Sequence, residues 1–139
     1  MEISKYITLA EATTSQTAVR KKIANIPNAQ QLASMKLVAV NVFDKVREHF
    51  GKPIRVSSFF RSLLLNNAVG GSKTSQHVKG EAIDMQGTNG LKNAEIFHYI
   101  KNNLDFDQLI WEYGTEAEPA WVHVSFKKSG NRKQVLIIK

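Results

Sequence analysis

The apolar residues of this chain repeat with a helical period early in the sequence and with a strand period near its end. From about Ala29 to His49 they follow three- and four-residue steps, which predicts a long helix capped by Asn28. Two later runs, DQLIWEY and AWVHVSF, alternate along a strand, and the GTEAEP between them predicts a β-hairpin. Helices followed by a mostly antiparallel sheet predict an α+β fold with the N-terminal helices packed on the sheet.

The other predicted elements are shorter. They are helices at 9–12, 63–68, within 89–104 and from Ser15 to Ile23 or Ala24, and strands at 54–60, 81–86 and 135–138. The chain has 139 residues and shows no internal repeat or linker. We therefore expect one domain spanning residues 1–139.

Composition limits the chemistry that the chain can perform. There is no cysteine, so a metal site must use His, Asp or Glu, and no disulfide can form. The formal net charge of +7 favours an anionic partner. A nucleic acid is not expected, because no basic stripe with interleaved aromatic residues is present. No apolar run is long enough to predict a membrane span.

The stretch SQHVKGEAID contains His77 and Asp84, separated by Gly80. Imidazole and carboxylate are the usual zinc ligands of catalytic sites without cysteine. Gly80 allows a loop that brings both side chains to one point, and Asp84 falls in a predicted strand. The stretch is equally compatible with a solvated loop, so a metal site requires a third ligand from elsewhere in the chain.

The predicted hairpin offers such a ligand in His123, at the centre of its second strand. A mid-strand imidazole among apolar residues is either a core side chain or a ligand. If Tyr113 opposes Ala120, then Glu112 opposes Trp121, and Glu112 shares a face with His123. A register slip of one residue would turn Glu112 to the other face.

SQHVKGEAID followed by WVHVS resembles the zinc D-Ala-D-Ala carboxypeptidases and their phage endolysin relatives. The wider group includes the D-Ala-D-Ala dipeptidases and the hedgehog signalling domain, whose α+β fold is expected here. The upstream SSFFRSLLLNNAVGG is similar to the family's Arg-Ser-x-x-x-Asn segment, and the resemblance runs from about Ile54 to Phe126. The motif glycine departs from the pattern, since it falls three residues after His77.

The resemblance implies that His77, Asp84 and His123 bind one Zn²⁺, with water in the fourth position. Such an open site is catalytic rather than structural, because zinc lowers the pKa of bound water to about 7 and so supplies hydroxide. In many relatives the general base is a Glu three residues before the last His, which is Ala120 here. The candidates are then Glu112 and Glu118, and Glu112 is favoured because a strand holds it more rigidly.

Further residues are expected to contact the substrate. Arg61 resembles the family's substrate-binding arginine, which pairs with a carboxylate or polarises the scissile carbonyl, although a surface salt bridge is the simpler alternative. Ser75 and Gln76 are expected to shape the loop or touch substrate, and Trp121 to line the site.

The resulting hypothesis is a monomeric zinc metallopeptidase that cleaves peptidoglycan as an endolysin-like carboxypeptidase or endopeptidase. Its expected partners are the stem peptide and anionic cell-wall polymers. The alternative is a non-catalytic zinc-containing binding or phage-structural module. The N-terminus lacks the pattern of a secretory signal, so a phage or prophage protein held in the cytoplasm until release to the wall is expected.

Overall fold

The structure is a computed structural model that describes residues 1–139. Its helices are α1 (Leu9–Thr13), α2 (Gln16–Lys21), α3 (Ala29–Val38), α4 (Asp44–Phe50), α5 (Leu63–Ala68) and α6 (Asn93–Asn103). Its strands are β1 (Ile54–Ser58), β2 (Ala82–Gly87), β3 (Gln108–Glu112), β4 (Trp121–Ser125) and β5 (Gln134–Ile138). The predicted α+β class is confirmed.

The N-terminal helices begin at the predicted caps. Thr8 and Glu11 form a capping box at α1, and Asn28 accepts a hydrogen bond from the Gln31 N–H at 2.8 Å. The predicted end of α2 was wrong, because Lys22 takes a left-handed conformation with φ 55° and stops the helix at Lys21. A left-handed residue satisfies the last carbonyls of a helix and ends it.

The long predicted helix is not one continuous α-helix. A π-helical turn, Ala39–Phe43, separates α3 from α4. The predicted apolar stripe is nevertheless buried at its centre and partly buried at its ends, Leu32 and Phe50. Steps of three and four residues suit an α-helix with or without a π turn, so the apolar spacing did not reveal the interruption.

The five strands form one sheet in the order β1-β2-β4-β3-β5. All neighbours are antiparallel except β3 and β5, which run parallel. The predicted hairpin register is confirmed, with Ile110 opposite His123 and Glu112 opposite Trp121. The first strand ends at Ser58 rather than at the predicted Phe60, because the Phe60 N–H turns to the Ala12 carbonyl at 3.0 Å.

The two faces of the sheet have different roles. One face is apolar and packs into the hydrophobic core with helices α3, α4 and α6; its central residues are Ile83, Met85, Leu109, Val122 and Val124. The opposite face carries Asp84, His123 and Glu112, because side chains alternate along a strand. No helix has the length and apolar character needed to cross a bilayer.

The loop before β2 packs closely on α3. Gly80 has φ +75°, and a Cβ at this position would lie 2.5 Å from the Gln31 carbonyl oxygen. The Gln31 side chain also donates to the Val78 carbonyl at 3.0 Å. Glycine is therefore required here by both conformation and space, as the sequence predicted from conformation alone.

Candidate metal centre

The side chains of His77, Asp84 and His123 meet on the polar face of the sheet. All three are buried, and one possible ligand atom from each lies within 4.8 Å of the others. Asp84 on β2 stands directly opposite His123 on β4, and Nδ1 of His123 lies 2.8 Å from Asp84 Oδ1. Nε2 of His77 lies 3.3 Å from Asp84 Oδ2. Sheet pairing thus assembles two members, and the preceding loop adds the third.

A main-chain carbonyl orients the ring of His77. Its Nδ1 lies 2.7 Å from the carbonyl oxygen of Phe59, which can only accept a hydrogen bond. A proton therefore sits on Nδ1, and Nε2 is the ring atom that faces Asp84. The backbone N–H of Arg61 donates to the His77 carbonyl at 3.3 Å, which links the loop before β2 to the segment after β1.

The Asp84 carboxyl is held in its ionised form. Burial by itself raises the pKa of this group, but the charges and hydrogen bonds of His77 and His123 outweigh burial and keep the pKa below its ordinary value. The centre therefore presents a carboxylate between two imidazoles, and Nε2 of His77 and Nδ1 of His123 both face it.

This donor set fits zinc. Two imidazole nitrogens and one carboxylate form a three-ligand set that leaves a coordination position open, as in catalytic zinc sites. The bond from His77 Nδ1 to the Phe59 carbonyl is the kind of outer contact that fixes the tautomer of a metal-binding histidine. The three residues could therefore hold a metal ion.

Arg61 lies at the edge of the centre, in a well-defined position. Its Nε donates to Ser58 Oγ at 3.2 Å, its Nη1 donates to Asn66 Oδ1 at 3.4 Å, and its Nη2 is 3.8 Å from Asp84 Oδ2. Asn66 is fully buried and donates to the Ser72 carbonyl at 2.9 Å. A Cβ at Gly71 would lie 2.1 Å from Asn66 Oδ1, so glycine is required there. These contacts differ from the surface salt bridge considered as the alternative.

The two candidate bases occupy different environments. Glu112 is half-buried on the same face as His123. Burial raises the pKa of its carboxyl. This pKa is also affected by the charges of four residues, His123, Asp84, His77 and Arg61. These four residues form the centre and its edge, so Glu112 lies close enough to interact electrostatically with the metal position.

Glu118 is engaged away from these residues. Its Oε1 accepts a hydrogen bond from the N–H of Asn93 at 2.8 Å, at the first residue of α6. A carboxylate in this position satisfies a free N–H of the helix and interacts favourably with the helix dipole. The carboxyl of Glu118 therefore has a structural partner that Glu112 lacks.

The other expected contact residues surround the loop and β4. Ser75 Oγ accepts from the His77 N–H at 3.2 Å, and Gln76 Nε2 donates to Glu81 at 3.3 Å and to Asp107 at 3.1 Å. Ser75 and Gln76 thus shape the loop, and their contact with substrate stays a prediction. Trp121 is half-buried, its indole N–H is buried without a partner, and its substrate contact also stays a prediction.

Two groups that support the centre and its loop were not predicted from the sequence. The carbonyl of Phe59 belongs to the main chain and leaves no side-chain signal. Asp107 is fully buried and binds Arg132 through Nε at 2.9 Å and Nη2 at 2.8 Å, while it also accepts from Gln76. Asp107 thereby links the loop before β2 to the segment that leads into β5. A single Asp at the end of a predicted strand does not indicate such a role.

A set of two histidines and one aspartate on a mostly antiparallel sheet has the composition of catalytic rather than structural zinc sites. The sequence model of the family Peptidase M15 matches residues 5–125, and the chain belongs to this family of zinc D-Ala-D-Ala carboxypeptidase-like metallopeptidases. The resemblance recognised in the motifs is thus confirmed. No curated protein matches the chain.

Proposed function

We propose that the chain is a zinc peptidase that hydrolyses a peptide bond of bacterial peptidoglycan, as an endolysin-like carboxypeptidase or endopeptidase. We further propose that the described chain forms one catalytic domain. The observation that carries the proposal is the arrangement of Glu112 and Arg61 around the buried His77, Asp84 and His123. A base and a cation thus flank one position where a metal can be held.

Zinc would be held by His77 Nε2, the Asp84 carboxylate and His123 Nδ1, where it would supply an activated water and polarise the scissile carbonyl. The remaining steps depend on residues of the chain. Phe59 and the β2–β4 pairing hold the two imidazoles in place before substrate arrives. Such preorganisation means that little reorganisation is needed during the reaction.

Glu112 is proposed as the general base. Its carboxylate would accept a proton from the attacking water and return that proton to the nitrogen of the leaving amine. Burial raises the pKa of Glu112, and this brings the carboxyl closer to the range in which one group serves as both base and acid. Glu118 is not favoured, because its carboxylate already caps α6.

Arg61 is proposed as the substrate-orienting cation. Its guanidinium is only 20% exposed, and it is positioned by Ser58, Asn66 and Asp84. A partly exposed guanidinium can pair with the terminal carboxylate of a stem peptide or donate to the scissile carbonyl. The net charge of +7 would further favour approach to anionic cell-wall polymers.

The test is digestion of purified peptidoglycan by the zinc-loaded protein, followed by mass analysis of the released products. Cleavage of a stem or cross-link peptide bond, lost on chelation and restored by zinc, is expected. A matched pair of variants, Glu112→Gln and Glu118→Gln, shows whether catalysis depends on the proposed base. A protein that binds zinc tightly but releases no product would contradict the enzyme proposal and favour a non-catalytic module.

A further inference from the structure

A polar cavity of about 420 Å³ adjoins the metal centre on the β1 side of the sheet. Its polar lining includes Thr14, Ser15, Arg55, Ser57, Ser58 and Arg61. The lining contains two guanidinium groups and no carboxylate. The cavity is therefore suited to a ligand that carries negative charge and hydrogen-bonding groups.

The cavity runs along the outer edge of β1. Consecutive residues from Arg55 to Ser58 line it, and consecutive strand residues point to opposite faces, so the cavity cannot lie over one face alone. β1 is the terminal strand of the sheet and pairs only with β2. No backbone hydrogen bond links the outer side of β1 to another segment. An open strand edge can pair with an added extended peptide.

The cavity and the metal centre share residues. Ser58 stands opposite Asp84 in the β1–β2 ladder, and the Arg61 guanidinium contacts both side chains. Arg55 stands opposite Gln86, two residues beyond Asp84 on the same face of β2. A peptide lying along β1 would thus extend from the metal position past Ser58 towards Arg55.

Arg55 differs from Arg61 in having no partner within the protein. Its guanidinium forms no ion pair and no side-chain hydrogen bond, and the residue is exposed. The cation at the distant end of the cavity is therefore free to bind a ligand. Guanidinium recognises a carboxylate through two parallel hydrogen bonds.

We propose that this cavity is a substrate subsite, which binds an extended peptide along the edge of β1 and pairs a carboxylate of that peptide with Arg55. The inference rests on the proposed function and specifies its substrate class as a stem peptide with a free acidic group near the scissile bond. Arg55 would therefore set specificity, while Arg61 acts at the centre itself.

The test uses synthetic stem peptides in which each carboxylate in turn is amidated. Arg55→Gln should raise KM for the acidic peptide about ten- to a hundredfold, which corresponds to loss of a charge-assisted pair. Zinc content and kcat should stay unchanged. When the carboxylate that Arg55 binds is the one amidated, wild type and Arg55→Gln should have the same KM for that peptide. Lys36→Gln, which removes an exposed unpaired cation on α3, is the matched control.

If Arg55→Gln raises KM equally for every peptide, or raises it for none, the proposed role of Arg55 is wrong. Peptides N-methylated at single backbone amides test the strand pairing, and at least one of them should bind more weakly than its parent. If the wild type cleaves none of the peptides, the proposed function fails, and calorimetric binding of the same peptides still decides on the subsite. A Kd that does not differ between wild type and Arg55→Gln for the acidic peptide would reject it.

Discussion

His77 directs its Nδ1 to the carbonyl oxygen of Phe59 over 2.7 Å, and this contact determines that Nε2 faces Asp84. The carbonyl accepts a hydrogen bond and cannot donate one, so the imidazole must carry a proton on Nδ1 to satisfy the bond. Phe59, in the segment after β1, therefore orients the side chain of His77 in the loop before β2. The metal centre depends in this way on a contact that joins residues 18 positions apart.

Replacement of His123 by alanine should abolish stoichiometric zinc binding. The change removes a nitrogen that lies 2.8 Å from Asp84, and two remaining ligands hold zinc far more weakly than three. Metal analysis of the dialysed protein measures the effect. His98→Ala, which alters an exposed histidine on α6, should keep its zinc. Equal zinc content in both variants would show that the centre lies elsewhere.

Removal of zinc should lower the melting temperature. The ligands come from a loop and two strands, so a metal bound only by the folded chain adds its binding free energy to folding. Zinc at a hundred times its Kd would contribute about 2.7 kcal/mol, which corresponds to a shift on the order of 10 °C. Calorimetry of apo and zinc-loaded protein at one pH tests this. Coincident melting would mean that the ion does not link the folded elements.

Glu112→Gln should reduce kcat by a factor of about 100 to 10,000 while zinc content and the fold are retained. The amide keeps the shape of the side chain but cannot accept the proton. Glu118→Gln is the control, and it should leave kcat nearly unchanged. It should lower stability by about 0.3–1 kcal/mol, because the amide oxygen can still accept from the Asn93 N–H but the negative charge at the start of α6 is lost. The reverse pattern would assign the base to Glu118.

The Asp107–Arg132 pair should make stability depend on acid pH. Hydrogen bonds from Arg132 lower the pKa of the Asp107 carboxyl to about 2, against the opposing effect of burial. Because the folded pKa lies below the unfolded value of about 3.9, the stabilisation is complete above pH 4 and is lost as pH falls towards 2. The stability difference between wild type and Asp107→Asn should therefore shrink over this interval.

Thermal melts at a series of pH values measure this difference. Asp105→Asn is the matched control, since Asp105 is exposed and its ion pair with Lys133 spans 3.8 Å. It should show little dependence on pH in the same interval. A constant difference between wild type and Asp107→Asn from pH 5 to pH 2 would mean that the Asp107 carboxylate does not contribute through its charge.

Several features of the centre could be predicted because they depend on short-range geometry. Side chains alternate along a strand, so the hairpin sequence placed Glu112 and His123 on one face once the turn was recognised. The requirement for glycine at position 80 follows from its left-handed conformation between His77 and Asp84. The α+β class follows in the same way from the change of apolar period along the chain.

Other features were decided only when distant segments came together. The sequence left Glu112 and Glu118 as alternative bases, with Glu112 favoured. In the structure Glu118 accepts a hydrogen bond from Asn93, 25 residues away, and no local pattern predicted this contact. β5 pairs in parallel with β3, and just before these strands Asp107 binds Arg132, which is likewise 25 residues away. Local backbone geometry determines which face a side chain occupies, whereas its hydrogen-bond partner depends on the packing of the whole chain.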